Sequence, residues 1–108
     1  MDFALPPAAV IRVSRGTFDP ARLDEVERMS QETAKYLVPA INKLPGLIKY
    51  FAAVSPAGSL VHVSIWDSDA HAEQMGSLKE MIVDARKAGE AAGVQFHPII
   101  DHAMSWTI

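Results

Sequence analysis

The chain contains no cysteine among its 108 residues. A disulfide framework and a thiolate metal cluster are thereby excluded, and the composition agrees with a reducing compartment. No stretch approaches the roughly 18 apolar residues that a membrane-spanning helix needs. Basic clusters are missing too: ten Lys and Arg are interspersed with thirteen Asp and Glu, for a formal charge of −3. Nothing in that distribution suits a phosphate backbone, so neither a nucleic acid nor a membrane is expected as a partner. The opening MDFALPPAAV lacks the basic stretch and apolar core of a signal peptide, and a cytoplasmic location is the expectation. The motifs GxGxxG, GxSxG, HExxH and CxxC and the P-loop do not occur. Nucleotide cofactors, Ser or Cys nucleophiles and zincin chemistry are therefore unsupported.

Apolar residues are plentiful at 49%. That is enough for one continuous core, and the length predicts a single domain over residues 8–108. Residues 1–7 end in Pro6-Pro7, which cannot feed a strand ladder and read as an extended arm. Ala8–Arg15 alternates, with Ile11 and Val13 on one side and Val10, Arg12 and Ser14 on the other. This predicts a first strand, broken by Gly16 and Thr17.

Asp19-Pro20 opens a helix whose inner face carries Leu23, Val26, Ser30, Thr33 and Leu37. Pro39 predicts a kink or a fresh turn up to Lys43. Leu47–Ser55 and Gly58–Trp66 are two strands joined through Pro56-Ala57-Gly58, an antiparallel hairpin. Ser68 caps a second helix, which Gly76 interrupts. Ser77-Leu78-Lys79-Glu80 spells a capping box, and Leu78, Met81, Ile82, Ala85 and Gly89 form a buried stripe ended by Gly93. Val94–Trp106 is the last strand, with an irregularity at His97-Pro98.

The order is β-α-β-β-α-β. Right-handed crossovers place both helices on one face of a four-stranded antiparallel sheet, a ferredoxin-like α+β fold. The other face should be polar if it met water. Instead it carries Val61, Val63 and Ile65, and the second strand is apolar on both sides. A homodimer packed through the open faces is the expectation, the alternative being the arm folded over that face.

These features resemble the antibiotic-biosynthesis monooxygenase superfamily, the dimeric α+β barrel proteins. The resemblance runs from Ala8 to Trp106 and rests on Leu44-Pro45-Gly46, the hairpin, Trp66 leading through Asp67-Ser68 into a helix, and the closing strand. It implies a pocket between helices and sheet that takes a small apolar or aromatic ligand. In the haem-degrading branch an Asn on the first strand, a Trp ending the third and a His on the second helix build the site. Here Trp66 matches, but Val10–Ser14 has no Asn, Gly76 stands near the place of the His, and His71 comes about a turn early.

Several residues are candidates for chemistry. Trp66 offers a flat wall and an indole donor, or else plugs the sheet end. His62 shares the Trp66 face and could orient or deprotonate a phenol, or be bonded within the core. His71 is a candidate for the pocket mouth or a solvated surface residue. Tyr36, in the last full turn before Pro39, could reach the pocket with its hydroxyl. Arg12, a charge inside a strand, needs a carboxylate, a ligand anion or a dimer contact. His97, Asp101 and His102 could converge on a metal only if a bulge brought them to one side; opposite faces are the default, and no metal is expected.

Two functional readings follow. One is a cofactor-independent monooxygenase acting on an aromatic or polyketide-like substrate, with catalysis by His62, His71 or Tyr36 and binding by Trp66, His62, Tyr36 and Arg12. The other is a non-catalytic dimeric module that binds a small ligand or stabilises an assembly.

Overall fold

The computed structural model describes residues 5–108, so the first four residues of the expected arm lie outside the described residues. Strand β1 spans Val10–Thr17, helix α1 Leu23–Ile41, β2 Leu47–Ser55 and β3 Ser59–Trp66. A four-residue helix α2 (Asp69–Ala72), a 3-10 segment (Glu73–Leu78) and helix α3 (Lys79–Ala91) follow. The chain closes with β4 (Gln95–Phe96) and β5 (Ile100–Ala103). All pairings are antiparallel, in the order β2-β3-β1-β4, with β5 also on β1. This is the expected ferredoxin-like α+β arrangement, with the last strand in two pieces. Among the described residues, no helix is long and apolar enough to cross a membrane.

The break in the last strand follows from Pro98, which has no N–H to donate. Gln95 and Phe96 pair with Thr17 and Gly16, and Ile100–Ala103 pair with Val10–Val13. Between them, only His97 N–H reaches across, donating to Arg15 O at 2.9 Å. Gly16 and Thr17, expected to end β1, instead extend it. They are held on one side by Leu60 and Ser59 and on the other by β4.

Other local expectations are also revised. Asp19 accepts from Ala21 N, but it caps a 3-10 turn at Pro20–Arg22 that leads into α1. Helix α1 runs through Pro39 without a fresh turn. Pro39 is exposed, so water can take the carbonyl of Lys35 that it leaves without a donor. The capping box does not form: Ser77 Oγ donates to Gln74 O at 2.6 Å, and α3 starts at Lys79 with no side-chain cap. Gly93, at φ +98, does end α3 in a Schellman turn. Val94 N–H donates to Gly89 O and Gly93 N–H to Glu90 O.

The register puts Val10, Arg12, Ser14 and Gly16 on one face with Trp66, Ser64, His62 and Leu60 beside them. The helices cover this face. At one end Val10, Leu37, Ile41, Trp66, Ala72 and Met75 pack into a core. At the other, Phe18, Val26, Leu60, Ala92 and Val94 make a second. On the opposite face Ile11, Val13, Val61, Val63 and Ile65 stand half-buried, beside Phe51 at 46% exposure.

Two glycines test this account. Gly58 closes the hairpin at φ +95, and a Cβ there would lie 2.4 Å from the Phe18 carbonyl oxygen. Gly76 has open space around it. Gly58→Ala should lower the urea-unfolding free energy by about 2 kcal/mol or more. Gly76→Ala should raise it by roughly 0.4–1 kcal/mol.

Candidate functional site

Between the two cores the sheet presents polar side chains to the helices: Arg12 and Ser14 from β1, Tyr50 from β2, His62 and Ser64 from β3. The helices do not fill the space above them. An inner chamber of about 80 Å³ lies there, bounded on the helix side by Met29, Thr33, Leu37, Ile82, Ala85 and Arg86. It adjoins an outer cleft of about 440 Å³ between α1 and β2. Ser30, Thr33, Leu37, Ile41, Tyr50 and His62 line both.

Tyr50 and His62 meet at this junction. The phenol oxygen lies 2.8 Å from His62 Nδ1, with the rings edge to face at 85°. Burial pushes the Tyr50 phenol up to about 12, while the positive charge of Arg12 acts in the opposite direction. Burial also holds the His62 imidazole below its ordinary value. At neutral pH the pair is therefore a protonated phenol against an uncharged imidazole. Either the phenol donates to a bare Nδ1, or an Nδ1–H donates to the phenol oxygen, according to tautomer.

Arg12 reaches the inner chamber, with Asp101 Oδ1 3.4 Å from its guanidinium. Arg86, from α3, lies over the Phe96 ring at 5.0 Å and donates to His97 O at 3.2 Å. Thr33 spends its hydroxyl on α1 itself, donating toward Met29 O and Ser30 O.

Of the residues singled out from sequence, His62 and Arg12 line the cavity. Trp66 takes the core position instead. It is fully buried, and its indole N–H donates to Ser64 Oγ at 2.8 Å, so it offers the cavity neither a free donor nor a face. Tyr36 is 38% exposed, on the outer surface near Met81 and Asp84. There it borders a surface hollow with Leu78 and Lys79 and lines neither the chamber nor the cleft. His71 lies at a corner, Nδ1 2.5 Å from Asp67 Oδ1, beside the Gly46 backbone whose carbonyl accepts from Asp67 N. His97 approaches Thr17 Oγ1 and Asp101 approaches Arg12, so these two do not converge with His102. Tyr50, Arg86 and Ser14 are the site residues that sequence reasoning did not select. Tyr50 was signalled by sharing the alternation of β2 that points toward His62; Arg86 had no signal beyond its place one residue after Ala85 on the inner stripe.

No family model and no curated protein matches the chain. Solved structures do. SnoaB from Streptomyces nogalater, a cofactor-independent oxygenase, superposes with a TM-score of 0.65 at 17% identity, over 94% of this chain and 97% of that one. The ActVA-Orf6 monooxygenase of Streptomyces coelicolor, in complex with nanaomycin D, gives 0.69 at 15% identity, over 94% and 92%. NE2512 of Nitrosomonas europaea, a protein of unknown function, gives 0.64 at 15%, over 94% of each chain. The chain thus has the fold of the antibiotic-biosynthesis monooxygenases, as its sequence features implied.

The buried imidazole has a consequence for stability. Its folded-state value lies below its unfolded one, so the uncharged form is favoured by folding. That contribution is full above the ordinary histidine value of about 6.5 and is lost as pH falls from there toward the lowered folded value. Thermal unfolding of the native protein should therefore drop in midpoint between pH 7 and pH 5. The drop should be smaller in His62→Gln; an equal drop in both would place the titration elsewhere.

Proposed function

We propose that this protein is an oxygenase of the cofactor-independent kind, acting on an aromatic, polyketide-like substrate in the cleft between α1 and the sheet. The observation that carries the reading is the Tyr50–His62 pair at the mouth of an apolar chamber in this fold. The outer cleft, at about 440 Å³, falls in the usual range for small-ligand sites, roughly 300–1,000 Å³. SnoaB, which shares the fold, is a cofactor-independent oxygenase.

The chemistry asked of the site is limited. A phenolic substrate with a CH₂ between two aromatic rings becomes electron-rich when a proton is removed. It can then pass electrons to O₂, so that one oxygen atom becomes a ring carbonyl and the other leaves as water. Uncharged His62 is the proton acceptor, and Tyr50 holds its ring and shares the proton. The surrounding Leu37, Ile41 and Leu60 exclude water from the reactive anion. Arg12 stays a binding residue; Trp66, Tyr36 and His71 have no part in the step.

A dithranol oxidation assay, followed by O₂ uptake and quinone absorbance, tests this. The protein should consume one O₂ per carbonyl formed. His62→Ala should slow it by about 100-fold, and Tyr50→Phe by less. Ligand binding with no O₂ uptake would leave the non-catalytic binding module as the correct reading.

We also infer a homodimer through the open sheet face, since Ile11, Val13, Val61, Val63 and Ile65 form a contiguous apolar surface on paired strands. Sedimentation at micromolar concentration should give twice 11.8 kDa. Val63→Asp, at the middle of the patch, should shift the protein to monomer. A wild-type mass of 11.8 kDa would refute the pairing.

A further inference from the structure

Arg12 and Arg86 both line the inner chamber and neither lines the outer cleft. Their charges are unequally balanced. Among the described residues, the carboxylate that Arg12 faces is that of Asp101, at a long 3.4 Å, and Asp101 is itself partly in solvent. None of the ion pairs among the described residues involves Arg86. Its ring-stacked guanidinium spends one N–H on the His97 carbonyl. A guanidinium carries five N–H donors, so donors remain on both residues. Among the described residues, two cations against one carboxylate leave a net positive charge beside a small, mostly apolar space.

The break between β4 and β5 explains why the charge sits here. With Pro98 unable to donate, the sheet edge parts opposite Ser14, and Arg86 reaches the freed His97 carbonyl from α3. Ser14 and Ser64 add hydroxyls to the same wall. A chamber of about 80 Å³ is too small for a ring system and large enough for a compact substituent.

Building on the function proposed above, we propose that the substrate carries a carboxylate, which enters the inner chamber and is held by Arg12 and Arg86 while its aromatic body occupies the outer cleft. The ring carbon to be oxidised then lies at the junction, against Tyr50 and His62. A guanidinium is suited to this task because its planar fork matches both carboxylate oxygens. The acid group thus sets both selectivity and the depth to which the ring is inserted.

Calorimetric titration of the full-length protein with 1-hydroxy-2-naphthoate and with its neutral amide tests the assignment. The acid should bind about tenfold or more tightly than the amide. Arg86→Gln and Arg12→Gln should each bring the acid-to-amide affinity ratio down to within about twofold, with an unchanged far-UV circular dichroism spectrum reporting that the variants are folded. Equal affinity for the two probes, or parallel loss of both in the variants, would overturn the carboxylate assignment and leave the aromatic pocket intact. Failure of the wild-type protein to bind either probe would overturn the pocket reading as well.

Discussion

Two polar rows beneath the helices in the middle of the sheet govern the rest of the molecule. Helix-facing positions at either end of the strands are apolar, Val10 with Trp66 and Gly16 with Leu60. The rows between them hold Arg12 with Ser64 and Ser14 with His62, with Tyr50 and Ala52 alongside. Helices laid across such a surface can close tightly only over the ends. Pressing apolar helix residues onto the middle would shut water off from the hydrogen-bonding capacity that their sheet neighbours leave unused, at a cost of roughly 1–3 kcal/mol for each neutral group so stranded. The cavity is the result, and the polar groups that keep it open also give it its chemistry.

Satisfaction of those groups is nearly all local. Ser64 accepts from the indole of Trp66 two residues along the same strand, and Tyr50 meets His62 across one strand pair. Among the described residues, no buried side-chain donor or acceptor lacks a partner. The site is therefore held in shape by its own sheet rather than by the helices above it. Helix α1 contributes Leu37 and Ile41 as cover and binds Thr33 back onto itself. That division lets the cover shift without disturbing the geometry of the Tyr50–His62 contact.

Much of this order was legible in the residues. Alternation along β3 placed His62 and Trp66 on one face, alternation along β1 set Arg12 with Val10 and Ser14, and Pro56-Ala57-Gly58 marked the hairpin turn. What alternation could not decide was which members of that face meet the cavity. Trp66 and His62 have the same parity, yet Trp66 sits over the end core while His62 sits over the gap. The difference depends on where α1 and the 3-10 segment place Leu37, Ile41 and Met75. Tyr50 keeps the regular alternation of β2 with Ala52 and Val54, the irregular pairing lying before it at Leu47 and Lys49, but that pattern alone does not separate a phenol that meets His62 from one packed in the core. Arg86 looked like an ordinary helix charge, because its partner is the backbone carbonyl of His97, eleven positions away and next to Pro98 in the break between β4 and β5. Sequence patterns near the termini of elements were the least reliable guide: the serine at the α3 entry serves the preceding turn, and Pro39 did not end its helix.

Strand β2 stands at the border of the sheet, nine residues long and, among the described residues, paired with β3 alone. Its far side offers amide and carbonyl groups to any extended chain that comes near, which is how ordered aggregates recruit further copies. The opposite border is divided at Pro98 into pieces of two and four residues and gives a poor template. Fibril growth from this protein, if provoked, would begin along β2, where the irregularity before Lys49 and that lysine's charge are the built-in obstacles to it.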